Sequence, residues 1–107
     1  MPHYMFQFSY TPQAWAALTK NPVDRREAIR GLLEKQGGRL IDVYYCFGEY
    51  DGVILFEAPT AIAAAASAIT GLSAGHLTVN HTTVLLTTEE AMEAMHQAGE
   101  TAFQRPS

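Results

Sequence analysis

Aromatic side chains occupy every second position near the start of the chain, at Tyr4, Phe6, Phe8 and Tyr10. A period of two is the repeat of a β-strand, in which successive side chains point to opposite faces of a sheet. The stretch His3–Tyr10 is therefore predicted to be a strand with one wholly aromatic face. Such a face is stable only when a second layer covers it, so helices are expected to pack on one side of the sheet.

Caps, glycines and apolar periods predict the remaining elements. Thr11-Pro12 and Asn21-Pro22 each combine an N-cap residue with a proline suited to the first helical turn, so two short helices are expected after the first strand. Gly37-Gly38 is a predicted helix stop, followed by a hairpin with strands Arg39–Phe47 and Val53–Ala58 and a turn Gly48–Gly52. A helix capped by Thr60 is predicted to run to about Thr70, and a loop Gly71–Gly75 and a strand Leu77–Leu86 follow it. A capping box at Thr87–Glu90 begins the last predicted helix, which ends near Gly99.

This order is β-α-β-β-α-β followed by one more helix, the ferredoxin-like split βαβ pattern of the α+β class. A chain of 107 residues fits one domain, here residues 1–107 with a core from 3 to 99 and a loose tail from 100 to 107. Its single cysteine excludes an internal disulfide. The lack of a signal-like start and of a long apolar run predicts a cytoplasmic protein without a membrane span.

Charge is distributed unevenly along the chain. The net charge is −4, and every Lys and Arg except Arg105 lies at or before Arg39. Without a basic stripe, nucleic acid is not an expected partner. Between Glu57 and Glu89 there is no formal charge, although Ile62, Ala66 and Ile69 recur there at helical spacing. Two interpretations remain: an alanine-rich helix packed on one side, or a helix that a second subunit also buries.

The sheet face opposite the helices is predicted to be apolar too. If strand parity is uninterrupted, one set of residues shares it: Met5, Leu40, Tyr44, Cys46, Val53 and Leu55. An open apolar face is an association site, and two-fold symmetry lets a second copy cover it with the same face. The chain is therefore expected to be its own partner, as a homodimer or a higher oligomer.

Several segments together resemble the GYD-domain family, which takes its name from a Gly-x-Tyr-Asp motif. The segments are "YT" at Tyr10-Thr11, "GG" at Gly37-Gly38, "YYCFGEYD" at Tyr44 to Asp51, "EAP" at Glu57 to Pro59 and "HTTVLLTTEE" at His81 to Glu90. The resemblance covers about Tyr4 to Ala94. It implies a dimeric α+β barrel, in which two ferredoxin-like sheets pack face to face.

Relatives in that larger group include cofactor-free monooxygenases, lactone isomerases and haem-binding enzymes. The GYD branch has no general assigned chemistry, so the resemblance transfers no catalytic residue. The family commonly has Glu-Ala-Pro-Asp, whereas Thr60 follows Pro59 here. Since Asp and Thr are both good N-caps, the exchange favours a capping role for this position.

Two residues are candidate proton-transfer groups. Glu57 lies in a predicted strand, where cover by an opposing sheet would raise the pKa of its carboxyl and make it a general base. His81 lies inside the last predicted strand, where it would meet Tyr10 or Tyr45. For both residues a structural role, as an edge carboxylate or as a core or interface histidine, stays open.

A pocket between the sheet and the helices is the expected ligand site, with Tyr10, Trp15, Tyr45 and His81 in its wall. One aromatic set either lines this pocket or fills the core: Tyr4, Phe6, Phe8, Tyr10, Trp15, Tyr45 and Phe47. Tyr50 and Asp51 belong either to a rim over the pocket or to a hairpin clamp. In the clamp, Asp51 accepts amides of its own turn and Gly48 and Gly52 adopt unusual backbone angles.

The expected function is thus a homo-oligomeric small-molecule-binding protein or a weak cofactor-free enzyme. The first alternative is an interaction or assembly module without chemistry, and the second is a metal or haem binder that uses His81. His3, His76, His81 and His96 have no metal-ligand spacing, so neither a metal site nor a cofactor is predicted.

Overall fold

The computed structural model describes residues 1–106. Its elements, in chain order, are β1 (His3–Tyr10), α1 (Pro12–Lys20), α2 (Arg26–Lys35), β2 (Arg39–Tyr45), β3 (Gly52–Glu57), α3 (Ala61–Ser73), β4 (Leu77–Leu85) and α4 (Thr88–Gly99). The four strands form one antiparallel sheet in the order β2-β3-β1-β4. This confirms the ferredoxin-like α+β fold with an additional C-terminal helix.

The core lies on one face of the sheet, called here the covered face, beneath α2 and α3. Tyr4, Phe6, Phe8 and Tyr10 of β1 are all buried, as their alternation predicts. They form one cluster with buried side chains from α2, β2, β3, the segment after β3 and α3: Leu33, Leu40, Phe56, Ala58, Ala63 and Ala64. Apolar burial of this kind is the main force that holds the layers together.

Three helix caps act as the sequence predicts. The hydroxyls of Thr11, Thr60 and Thr87 accept hydrogen bonds from the amides of Ala14, Ala63 and Glu90, at 3.0, 3.1 and 3.1 Å. The Glu90 carboxylate accepts a bond from the amide of Thr87, which completes the capping box. At the end of α2, Gly37 has φ +78, the left-handed conformation expected of a helix stop.

The start of α2 differs from the prediction. The helix begins at Arg26, not after Asn21-Pro22, and the Arg25 side chain makes no capping bond. The physical reason is Asp24, whose carboxylate accepts the amide of Arg26 at 3.0 Å and also pairs with its guanidinium. A local Asx-type bond thus replaces the predicted asparagine cap. Residues 21–25 form a loop that leads to the N-terminus of the helix.

Other boundaries shift by a few residues. Strand β2 ends at Tyr45, so Phe47, predicted to be in the aromatic set, is almost fully exposed instead. Helix α3 continues to Ser73 through part of the predicted loop. The buried face of α3 also differs from the predicted one. Ala63, Ala64 and Ser67 face the core, whereas Ile62 and Ile69 point outward.

The opposite face of the sheet, called here the open face, carries Met5, Tyr44, Val53 and Leu55, as predicted. The prediction for Leu40 was wrong. A register shift between Leu40 and Asp42 pairs Leu40 with Phe56, which places Leu40 on the covered face, where it is buried. A bulge reverses strand parity, and sequence alternation alone does not reveal it. Cys46 lies beyond the end of β2, where its thiol donates to the carbonyl oxygen of Tyr50.

The two turn glycines do not adopt the unusual backbone angles that were expected, since Gly37 and Gly75 alone have positive φ among the described residues. At Gly52 the requirement is space. A Cβ there would lie 2.3 Å from Cζ of the buried Phe8 ring, which crosses directly over the glycine. At Gly48 a Cβ would meet open space.

Candidate functional site

A cavity of about 210 Å³ lies between the covered face of the sheet and helices α2 and α3. Its walls are largely aromatic and aliphatic, and no Asp or Glu of the described chain lines it. The main wall residues are Phe6, Phe8 and Ile54 from the sheet, Ile29 and Leu32 from α2, and Ala68 from α3. A concave apolar site with a few polar groups is the usual form of a small-molecule pocket.

Three polar side chains meet at one end of this cavity, called here the mouth. Tyr10 is the last residue of β1, His76 precedes β4, and Arg25 precedes α2. The amide of Thr11 donates to the carbonyl oxygen of His76 at 3.0 Å, which holds the two chain segments together. The rings of Tyr10 and His76 then lie 6.2 Å apart. The mouth thus joins three segments that are distant in sequence.

Tyr10 and Tyr45 form the polar side of the mouth. Their hydroxyl oxygens are 3.1 Å apart, with either one as the donor. Burial first, and this hydrogen bond second, raise the pKa of the Tyr10 phenol well above its ordinary value, although the nearby charge of Arg25 opposes the rise. Tyr10 is only 6% exposed and Tyr45 47% exposed, so the pair leads from the core to the solvent.

Asp51 organises the neighbouring loop. Its Oδ2 accepts the amide of Tyr10 at 2.9 Å and the indole Nε1–H of Trp15 at 3.0 Å. The expected bonds to amides of its own turn are therefore replaced by bonds to β1 and α1. The carboxylate ties the hairpin loop to the two elements that hold Tyr10 and Trp15, and so it supports the mouth from behind.

Trp15 packs against both tyrosines, with ring centroids 5.1 Å from Tyr10 and 6.4 Å from Tyr45. Of the five residues predicted to bind ligand, Tyr10 lines the cavity, whereas Trp15, Tyr45 and Asp51 are grouped around Tyr10 without lining it. Tyr50 lies apart from them, next to His81 on the other side of the sheet, with a centroid separation of 6.5 Å.

The two candidate proton-transfer residues lie outside the cavity. Glu57 is opposite His3 and Arg39 in the sheet register and contacts both side chains, at 3.2 and 2.7 Å. The hydrogen bond from Arg39 holds the pKa of Glu57 below its ordinary value, with smaller contributions from the charges of Arg39 and His3. In a single chain, the pKa of Glu57 is therefore lowered and not raised as predicted.

His81 lies opposite Gln7 in the sheet, on the open face, and is exposed. The expectation that it would meet Tyr10 or Tyr45 was wrong, because those residues belong to the covered face. A catalytic role for Glu57 or His81 stays a prediction that needs a site on the open face.

Sequence reasoning missed Arg25 and His76. Nothing in their local sequence marks them, because each is a loop residue directly before a helix or a strand. Burial, together with the charge of Arg25, lowers the pKa of His76 below its ordinary value. The imidazole is therefore neutral at pH 7 and Arg25 carries the positive charge of the mouth.

Two kinds of feature were sought within residues 1–106: a group of metal-ligating side chains and a membrane-spanning helix. No three His, Cys, Asp or Glu side chains in this part of the chain are grouped as a metal would require. Within the same residues, no helix is both long enough and apolar enough to cross a bilayer.

The GYD domain family matches residues 4–95, nearly the whole chain and all four strands. The chain belongs to the GYD domain family. No curated protein sequence matches this GYD domain. The predicted family is thereby confirmed.

Solved structures share the fold of this GYD domain at low sequence identity. MtbAldR is 14% identical with a TM-score of 0.59, and the match covers 80% of this chain but 53% of MtbAldR, so the domain spans about half of that protein. A protein from Thermus thermophilus is 16% identical with a TM-score of 0.54 over 81% of this chain and 95% of its own. FFRP-DM1 is 15% identical with a TM-score of 0.53 over 80% and 100%. These similarities support the fold alone.

Proposed function

We propose that this GYD domain is a small-molecule-binding protein and that its ligand occupies the cavity between the sheet and helices α2 and α3. The apolar cavity with one polar mouth is the observation that supports the proposal most strongly. A cavity of roughly 150 Å³ is large enough for benzene, so about 210 Å³ suits a molecule with one ring and a short side chain.

Simple binding is favoured over proton-transfer catalysis in this cavity. Glu57 and His81 lie on the open face, away from the cavity. The titratable side chains that line the cavity are Tyr10, Arg25 and His76, of which Tyr10 and His76 are neutral at pH 7. The Tyr10 phenol holds its proton at neutral pH, so it serves as a hydrogen-bond donor and not as a base.

We also propose that two copies associate through the open face, as in an assembly module. Tyr44 is 57% exposed there, beside the half-buried Met5, Val53 and Leu55. Helix α4 buries no residue and extends from the sheet, in a molecule 58 Å long and 22 Å thick. Exposed apolar side chains on the same long helix, Met92 and Met95, add further surface for a partner copy.

The ligand proposal is tested by NMR titration with 3-phenylpropionamide, a neutral molecule of suitable size. We expect saturable shifts of cavity residues, because the phenyl group leaves water for the apolar walls. Ala68→Leu, which fills the cavity from α3, should abolish these shifts. Ala16→Leu is the matched control on the exposed side of α1 and should leave them unchanged. Equal binding by both variants, or no binding by the natural chain, contradicts the proposal.

A further inference from the structure

Arg25 differs from the other arginines near it. Arg26, Arg30 and Arg39 each form an ion pair, with Asp24, Glu27 and Glu57 respectively. Within residues 1–106 no acidic side chain forms an ion pair with Arg25, although Arg25 is half-buried and lines the cavity. A partly buried charge without a counter-ion is costly, so a partner for it is expected from outside the chain.

The acids next to Arg25 in sequence and next to Tyr10 in space, Asp24 and Asp51, have other hydrogen-bond partners. Both carboxylate oxygens of Asp24 accept hydrogen bonds from Arg26, which holds the pKa of Asp24 at about 2. Asp51 accepts the Tyr10 amide and the Trp15 indole. Neither carboxylate forms an ion pair with Arg25 in residues 1–106, and the Arg25 guanidinium is the one formal charge in the lining of the cavity.

The two tyrosines offer a second donor at the same place. The hydroxyls of Tyr10 and Tyr45 carry two protons, and the bond between them uses one. The other proton is free to be donated to an acceptor at the mouth. Since Arg25 and Tyr10 line the same cavity, and Arg25 and Tyr45 line the recess beside it, one anionic group can contact the guanidinium and a phenol together.

We propose that the cavity binds a small, largely apolar carboxylic acid, with its carboxylate at Arg25 and its apolar body between the sheet and α2. This inference rests on the proposed function, because it names the class of ligand for the same cavity. A carboxylate fits better than a doubly charged phosphate since a single arginine faces the cavity. The planar guanidinium also matches the two oxygens of a carboxylate.

The test compares 3-phenylpropionate with 3-phenylpropionamide, which has nearly the same shape and no charge, by NMR titration of the full chain at pH 7. We expect the carboxylate to bind about tenfold more tightly or better, the ratio that one charge-assisted hydrogen bond supplies. In Arg25→Met, which keeps the apolar stem, the two should bind equally, whereas Arg25→Lys should keep part of the preference. Arg30→Met, in α2 but outside the cavity lining, is the matched control and should keep all of the preference.

The outcomes separate the two proposals. If the natural chain binds the amide as tightly as the acid, or if Arg25→Met keeps the full preference, the carboxylate inference is wrong and the cavity proposal stands. If neither molecule binds, both are wrong. The comparison of acid and amide in the natural chain needs no substitution, so it tests the preference for a carboxylate even if Arg25→Met does not fold.

Discussion

The two faces of the one sheet are built from alternate residues of the same strands, and yet they have opposite character. The covered face holds the aromatic core, the cavity and a mouth with one unpaired positive charge. The open face holds the ion-paired Glu57 and two exposed residues, His81 and the aromatic Tyr44. In our proposals, ligand binding and self-association therefore use different surfaces, each supplied by one parity of the strands.

The largest expected difference between the faces is in stability. Phe56→Ala should lower the free energy of unfolding by about 3–5 kcal/mol, because Phe56 is 2% exposed and its ring stacks 5.4 Å from Tyr4. Its neighbour Leu55 points to the open face, so Leu55→Ala should cost less than half as much in dilute protein. Urea unfolding measures both. Equal losses would contradict the assignment of the core to one face.

The loop behind the mouth gives a smaller effect. Asp51→Ala leaves the Tyr10 amide and the Trp15 indole without an acceptor, so we expect a loss of about 2 kcal/mol and a shift of Trp15 fluorescence to longer wavelength. Glu49→Ala, in the same loop and exposed, is the control and should change stability by less than about 0.5 kcal/mol. An unchanged Trp15 spectrum in Asp51→Ala would show that the carboxylate does not hold this loop.

Self-association provides a third comparison. Tyr44→Asp places a charge on the exposed part of the open face, on the edge strand β2, so it should weaken dimerisation at least about tenfold, because the contact would bury a carboxylate without a partner. Val23→Asp, at an exposed site in the loop before α2, should have no effect. Sedimentation velocity measures both. Monomers at every concentration of the natural chain would exclude the proposed dimer.

The smallest effect concerns pH. Ion pairing lowers the pKa of Glu57 in the folded chain, so its contribution to stability is present above its ordinary pKa of 4.5 and is lost as pH falls below that value. Glu57→Gln should therefore flatten the fall in stability below pH 4.5. Thermal unfolding at several pH values measures this slope, with Glu49→Gln as an exposed control. A steeper fall in stability for Glu57→Gln than for the natural chain would contradict a lowered pKa of Glu57 in the folded state.

Most of the fold followed from local sequence signals. The β1 alternation, the threonine caps and Gly37 each depend on a few adjacent residues, and each was confirmed. The predicted parity of Leu40 was wrong because a bulge places an extra residue within β2, and no local sequence feature marks it. The spacing of Ile62 and Ile69 did not predict the buried face of α3, because small alanines, and not the large residues, pack against the sheet.

The candidate site was harder to predict, and the reason is its construction. Aromatic residues stand out in a sequence, which is why Tyr10, Trp15 and Tyr45 were predicted; Tyr10 lines the cavity, and the other two lie beside Tyr10. Arg25 and His76 were missed because only the packing of three distant segments gives them a common location. His81 was misplaced because its parity in β4 depends on the register with β1, which the sequence of β4 does not contain.

Methyl-resolved NMR of the natural chain tests the division between the two faces most directly. Adding 3-phenylpropionamide should shift the methyl signals of Ile29, Ile54 and Leu77, which adjoin the cavity. Dilution of the protein should instead shift those of Met5, Val53 and Leu55. If the ligand and dilution act on the same set of methyl groups, the two faces do not have separate functions and the account is contradicted.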